Sequence, residues 1–202
     1  MSYLLTDRLP DAVSIGGIPF EVETDFRLFV TFERDAFLDE FDPYKTLNCF
    51  YKGAIPRDIN EAMAGFIAFY KRGSFDPIDS SGKPNYIVSK NKKIPYAFDV
   101  DDRRIYSAFR NVYGIDLATE DMHWFVFRSL LDGLCDSDFG SIVGYRVSDL
   151  SGLPKEEKKY RQKLQVAYEV KRNGEKELTV EQRDAELIEW AKSMKEKAEG
   201  GG

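Results

Sequence analysis

The residues of this chain best suited to chemistry lie in one stretch, GIDLATEDMHWFVFRSLLDGL, from Gly114 to Leu134. It holds His123, the single histidine, with Glu120 and Asp121 just before it and Arg128 just after. Two kinds of chemistry are open to such a set. A zinc centre needs three or four convergent His, Cys or carboxylate ligands. The chain has one histidine and two cysteines far apart, Cys49 and Cys135, with no CxxC. A calcium loop would need carboxylates at spacings that do not occur. Nucleophilic catalysis would need a serine or cysteine beside His123. Cys135 follows it by twelve positions, about 18 Å along a continuous helix, so the two would not meet unless the helix bends back. No nucleophile elbow, Cys-nucleophile signature, Walker-type phosphate loop or GxGxxG fingerprint is present. The expectation is no catalytic residue, no metal and no cofactor.

The same stretch reads more simply as part of a core. His123, Phe127, Leu130, Leu131 and Leu134 share one stripe at helical spacing, and Met122, Phe125 and Val126 cover another side. Such a helix is apolar nearly all round and belongs at the centre of a fold. Thr119, Glu120 and Asp121 then fall in its first turn, where carboxylates suit the helix dipole, and Asp116 caps or braces the turn before it. His123 becomes a buried, hydrogen-bonded structural residue.

The elements that must position this helix are mostly helical too. Val13 and Ile15 alternate before Gly16-Gly17, and Phe20 and Val22 alternate after it, the pattern of a small hairpin or, failing that, an ordered extended arm. Thr24 can cap a helix carrying Phe26, Phe29, Val30 and Phe37. Pro43 suits the first turn of a short helix through Lys52. Asp58 opens the clearest helix, with Ile59, Ala62, Met63, Phe66, Ile67 and Tyr70 on one face and Gly73 at its end. Tyr70 should bury its ring and leave its hydroxyl wet. Helical period returns at Ile105, Ala108, Phe109 and Val112 and stops at Gly114. Ser137 or Asp136 caps a helix with Phe139, Ile142 and Val143. Pro154 starts a charged helix with Tyr160, Leu164, Ala167 and Tyr168 on one side. The fold class is mainly α, a compact helical domain over residues 1–170, with the N-terminal hairpin and an appended helix.

Two segments stand outside this pattern. Residues 74–96 carry three prolines and four lysines and lose all periodicity, which reads as a long loop, with a short extended piece at most around Tyr86–Val88. Its lysines (Lys83, Lys90, Lys92 and Lys93) suit a solvated loop better than a phosphate-binding surface. Residues 171–202 follow the charged helix. After Asn173-Gly174, Thr179 and Gln182 form a capping box, and Val180, Leu187, Trp190, Ala191 and Met194 then recur near one face. That stripe is the candidate partner-binding surface, for self-association or for another protein, with docking against the chain's own body as the alternative.

Composition narrows the function further. Of the 202 residues, 43% are hydrophobic and 32% charged, ordinary for a globular protein, and the net charge of −6 argues against nucleic acid or an anionic membrane as partner. The opening MSYLLTDRLPD lacks the basic start and apolar run of a secretory signal, and no apolar run is long enough to span a membrane. The two cysteines are expected as buried, reduced thiols in a cytosolic protein.

An ordered string of motifs carries a resemblance. Phe98, Asp99 and Asp101 are followed by Ile105, Tyr106 and Phe109, then by Tyr-Gly-Ile-Asp-Leu from Tyr113 to Leu117. His123-Trp124, Arg128, Gly133-Leu134, Tyr145-Arg146 and Asp149-Leu150 complete it, and the N-terminal LPDAVSIGG and TDFR segments match as well. The string resembles the gene product fifteen family of siphophages and prophages of Gram-positive bacteria, over about residues 8–170. Phe125 stands where that family usually has a second tryptophan, and neither the 74–96 loop nor the tail after residue 170 matches it. The resemblance implies a protein encoded in the tail module, before the tape-measure gene, with no catalytic residue and no cofactor. That position implies tail assembly in the host bacterial cytoplasm, as a chaperone for the tape-measure protein or as a structural part of the tail.

Overall fold

A computed structural model describes residues 6, 8–72 and 93–170. All of them belong to the first of the two units into which the chain divides, Met1–Val170, and the second, Lys171–Gly202, lies outside the described residues. So does most of the loop read at 74–96, and so do Gly73 and all five residues of the stripe from Val180 to Met194.

The described chain is mainly α. Two strands, β1 (Ala12–Ile15) and β2 (Ile18–Glu21), precede seven helices: α1 (Phe26–Phe37), α2 (Pro43–Phe50), α3 (Ile59–Arg72), α4 (Phe98–Tyr113), α5 (Trp124–Asp132), α6 (Asp138–Val147) and α7 (Lys155–Tyr168). The strands form the expected hairpin, with Val13 opposite Phe20 and Ile15 opposite Ile18. Gly16 and Gly17 turn it at φ of 58° and 82°, the positive pair that a two-residue hairpin turn with right-handed twist requires. The hairpin lies close on α3, where a methyl group on Gly65 would stand 2.7 Å from the Tyr51 hydroxyl and 2.9 Å from Ile15.

Several helix ends follow the sequence reading. Asp42 caps α2 ahead of Pro43, and the Asp58 carboxylate accepts from the backbone N–H groups of Asn60 and Glu61. Gly114 closes α4 in the left-handed region, and the Ser137 hydroxyl caps α6. Two ends differ. Asp25, not Thr24, caps α1, its Oδ1 accepting from the Arg27 N–H at 2.9 Å; Thr24 instead gives its carbonyl to the Trp124 N–H at 2.7 Å. The second difference is at α5, which starts at Trp124 and not at Thr119. Asp116 closes residues 116–120 into a separate turn, its carbonyl accepting from Thr119 and Glu120 and its carboxylate from Ala118.

Aromatic rings fill the core. Phe29 stacks on Trp124 at 4.9 Å between centroids and on Phe66 and Phe69 at 5.8 Å each. Phe127 continues the column, stacked on Phe26 at 4.5 Å and on Phe109 at 5.2 Å. Ring pairs of this kind add about 0.5–1.5 kcal/mol each beyond their burial. In α3 the fully buried line is Ala62, Phe66 and Phe69, with Ile59, Met63, Ile67 and Tyr70 packed partly against it. The sequence stripe is therefore turned slightly from the true one.

Two expectations on side chains are corrected. The Tyr70 hydroxyl is not wet: it donates to Glu33 Oε1 at 2.9 Å, because the ring packs against Phe29, Phe32 and Trp124 and carries the hydroxyl inward. Cys49 and Cys135 are free but exposed, not buried. α7 is the expected charged helix; none of its residues is fully buried, and Tyr160 is 62% exposed. Hydrogen bonds help to hold it: Gln165 donates to the Ser148 carbonyl at 2.8 Å, and Arg146 donates to the Tyr168 carbonyl.

Candidate functional site

His123 sits one residue before α5 and caps it. Its Nδ1 accepts from the Phe125 N–H at 3.1 Å. An imidazole nitrogen that accepts carries no proton, so in the neutral ring Nε2 bears it and donates to the Pro10 carbonyl at 3.0 Å. The side chain is hydrogen-bonded, as expected, but half-buried and outside the helix, not in its stripe. Burial lowers its pKa below the usual histidine value, against the opposing pull of the Pro10 carbonyl and Asp11. Beside it, Asp25 and His123 pair as a short antiparallel bridge, with the Phe26 N–H donating to the Met122 carbonyl at 3.0 Å. His123 thus joins three segments: the arm at Pro10, the entry to α1 and the entry to α5. Cys135 is beyond the far end of α5, where its thiol donates to the Asp132 carbonyl.

An open hollow of about 600 Å³ lies beside this clasp, lined by Glu23, Thr24, Asp25, Arg27, Asp121, Met122 and His123. Most of its charged groups are engaged in holding backbone, while Asp121 is exposed and meets Arg27 at 3.7 Å. Arg27 pairs with Asp25 at 2.9 Å and donates to the carbonyls of Leu117 and Glu120 at 2.9 Å each. The Glu23 carboxylate is partly desolvated, which raises its pKa, but the N–H groups of Asp25 and Thr24 and the Lys52 ammonium outweigh this and hold it below the usual range. The hollow is a junction where the 115–121 turn is strapped to α1.

The strongest electrostatic contact lies elsewhere. Asp101 on α4 and Arg146 on α6 are buried, 0% and 4% exposed. They form a two-pronged pair, with guanidinium-to-carboxylate distances of 2.6 and 3.0 Å. Arg146 also donates to the carbonyls of Pro95 and Tyr168, while Asp101 also accepts from Arg104 and the Ala97 N–H. One ion pair thus fastens the entry to α4, α6 and the end of α7. A second polar cluster joins Glu33 to Tyr70 and Arg128 to Tyr96. Burial raises the Glu33 pKa above the usual carboxylate value, opposed by Arg128 and the Tyr70 hydroxyl. Helical periodicity gives no sign of these pairs, since nothing local sets Asp101 apart from Asp99 and Asp102 on α4, or Glu33 apart from its charged neighbours on α1, and each partner lies on another segment. The motif string did contain Asp101, Arg128 and Arg146, and that was the available signal.

A shallow apolar groove of about 240 Å³ opens between α1, α4, α5 and the 115–118 turn. Phe26, Val30, Phe98, Ile105, Leu117 and Phe127 line it, with Tyr106 beside them. Its walls carry opposite charges, Arg27 on α1 and Asp102 on α4. Among the described residues no group of three or more His, Cys, Asp or Glu side chains gathers as metal ligands, and no described helix is long and apolar enough to cross a membrane.

Residues 5–170 match the family model described as bacteriophage Gp15 protein. No curated protein and no solved structure matches the chain.

Proposed function

The chain belongs to the bacteriophage Gp15 protein family, and from that premise we propose that it acts in phage tail morphogenesis as an assembly chaperone for the tape-measure protein. The match over residues 5–170 carries the reading, because it takes in the hairpin and all seven described helices. The tail-module position that the resemblance implies, ahead of the tape-measure gene, supplies the partner. The molecule does its work in the host bacterial cytoplasm by contact alone, without a catalytic residue, cofactor, nucleic acid or membrane. Two features support this. Polar groups around His123 are engaged in joining chain segments, and a shallow apolar groove opens between α1 and α4.

Co-expression with the tape-measure protein tests the proposal. A chaperone keeps the tape-measure chain in the soluble fraction, co-purifies with it, and is missing from purified mature virions by mass spectrometry. Retention in the virion at a fixed copy number would make the protein a structural tail component instead. Failure to co-purify or to raise tape-measure solubility rejects the chaperone reading.

A further inference from the structure

Helix α7 turns one side to the body and leaves the opposite side without a partner. Arg161, Leu164, Gln165 and Tyr168 are partly buried and fall on one face. The outward face carries Lys155, Lys159 and Lys163, each about 6 Å from the next along the axis. Val166, 72% exposed, lies among them, Tyr160, 62% exposed, flanks them, and one carboxylate, Glu156, stands at the rim. Arg161 is matched by Glu157 at 3.0 Å, but among the described residues no carboxylate pairs with the three lysines. The charge of the chain shows what would match this ridge. α7 has five basic residues against two acidic, a net +3, while the other described residues have fourteen against twenty-two, a net −8. We infer that α7 docks through its lysine ridge on the acidic corner between α1 and α2 of a second copy of the chain, head to tail.

That corner holds Asp39, Glu40 and Asp42, all exposed, with Tyr44 beside them at 67% exposure. The neighbouring Arg34 and Lys45 both pair with Asp35, so they do not neutralise these three carboxylates. Each surface therefore offers charges of one sign next to an exposed ring, and the signs are opposite. Like surfaces would not meet, since ridge against ridge sets lysines together and corner against corner sets carboxylates together. The contact is thus heterologous: every copy keeps a free ridge or a free corner, and the contact repeats along a chain or closes as a ring. Nucleic acid is a poorer fit, because three lysines neutralise few phosphates and the net negative body repels the rest.

The test uses the purified full chain and no phage partner, so its failure leaves the chaperone reading untouched. A carbodiimide joins a lysine directly to a carboxylate it touches, and it is applied to an equal mixture of light and heavy isotope-labelled protein. The expected products link Lys155, Lys159 or Lys163 to Asp39, Glu40 or Asp42, with mixed-label pairs as frequent as same-label pairs. Same-label links alone would place the contact within one chain, and links to other carboxylates, or none, would leave the corner without the ridge; either overturns the inference. Light scattering at graded concentration should show a mass above the monomer that falls as salt screens the contact. The variant Lys155→Glu/Lys159→Glu/Lys163→Glu changes exposed positions only, so it should keep the circular dichroism spectrum and weaken association at least about tenfold. Asp39→Asn/Glu40→Lys should do the same from the other side. An equal mixture of the two variants should associate again, because the intact ridge of one meets the intact corner of the other. A monomer at every concentration, unchanged association in either variant, or no recovery in the mixture overturns the inference. So does a monomeric protein that shifts duplex DNA in a gel and loses the shift in the lysine variant, which would give the ridge to phosphate instead.

Discussion

Removing either partner of the buried Asp101–Arg146 pair should destabilise the body more than any exposed substitution. Arg146→Ala leaves the Asp101 carboxylate, 0% exposed, with only the partly exposed Arg104 and the Ala97 N–H as partners. It also strands the carbonyls of Pro95 and Tyr168. Breaking one side of a buried pair costs about 3–5 kcal/mol. For a domain of this size each kcal/mol moves the melting temperature by about 2–4 °C, so the expected drop is about 6–20 °C. Asp101→Ala should cost a similar amount, because Arg146 keeps its carbonyl partners but loses its only carboxylate. The double variant Asp101→Leu/Arg146→Met separates lost attraction from stranded charge. Apolar replacement of a buried pair is often neutral or better, but here three backbone groups lose a partner at about 1 kcal/mol each. The double variant should therefore melt below wild type yet above both single variants. Thermal unfolding followed by circular dichroism reads all four proteins. A drop of less than about 3 °C in Arg146→Ala, or a double variant with the sum of the single losses, would refute the argument.

Three further outcomes follow from the geometry. Burial places the His123 pKa in the folded state below its unfolded value near 6.5, so the unfolded chain takes up more protons as pH falls. Stability should be full above pH ~6.5 and decline below it until the folded pKa is passed, a loss absent in His123→Asn, which still caps α5; equal slopes between pH 7.5 and 5 in urea titrations of both proteins would contradict this. Gly65→Ala should cost about 1–3 kcal/mol by overpacking against Tyr51 and Ile15, despite alanine's better helix propensity; a stabilised variant in the same titration would show that the hairpin gives way. Both cysteines should react with Ellman's reagent in the native protein, two thiols per chain without denaturant, since both are exposed; protection of either thiol until unfolding would show it to be buried.

Much of the fold was legible because it rests on local rules. Asp58, Pro43, Ser137 and Gly114 each mark a helix end by its own chemistry, and Gly16-Gly17 marks a hairpin, without reference to anything distant. The helix now called α5 was legible as apolar and central, but its start was not. Spacing alone cannot tell an in-stripe histidine from a capping one, and what decides between them is Pro10, 113 positions away. The wet hydroxyl read for Tyr70 failed for the same reason, since Glu33 lies on another helix. The exposed cysteines show the limit of residue-type averages: thiols are usually buried, and nothing local marks Cys49 or Cys135 as exceptions. The apolar groove is a property of four segments meeting, and each contributes residues that look like ordinary core.

The last described helix carries one more consequence. α7 buries none of its side chains fully, although Tyr168 stacks on Tyr145, and Arg146 and Gln165 hold its carboxyl-terminal half by backbone and amide hydrogen bonds. Letting go of it exposes little apolar surface, so its opening should cost far less free energy than global unfolding. In deuterium, its amides should exchange long before those of α5, whose Trp124, Phe125, Phe127 and Leu131 leave the core only when the whole aromatic column comes apart. α7 is thus expected to open as a cooperative unit of its own while the core stays shut.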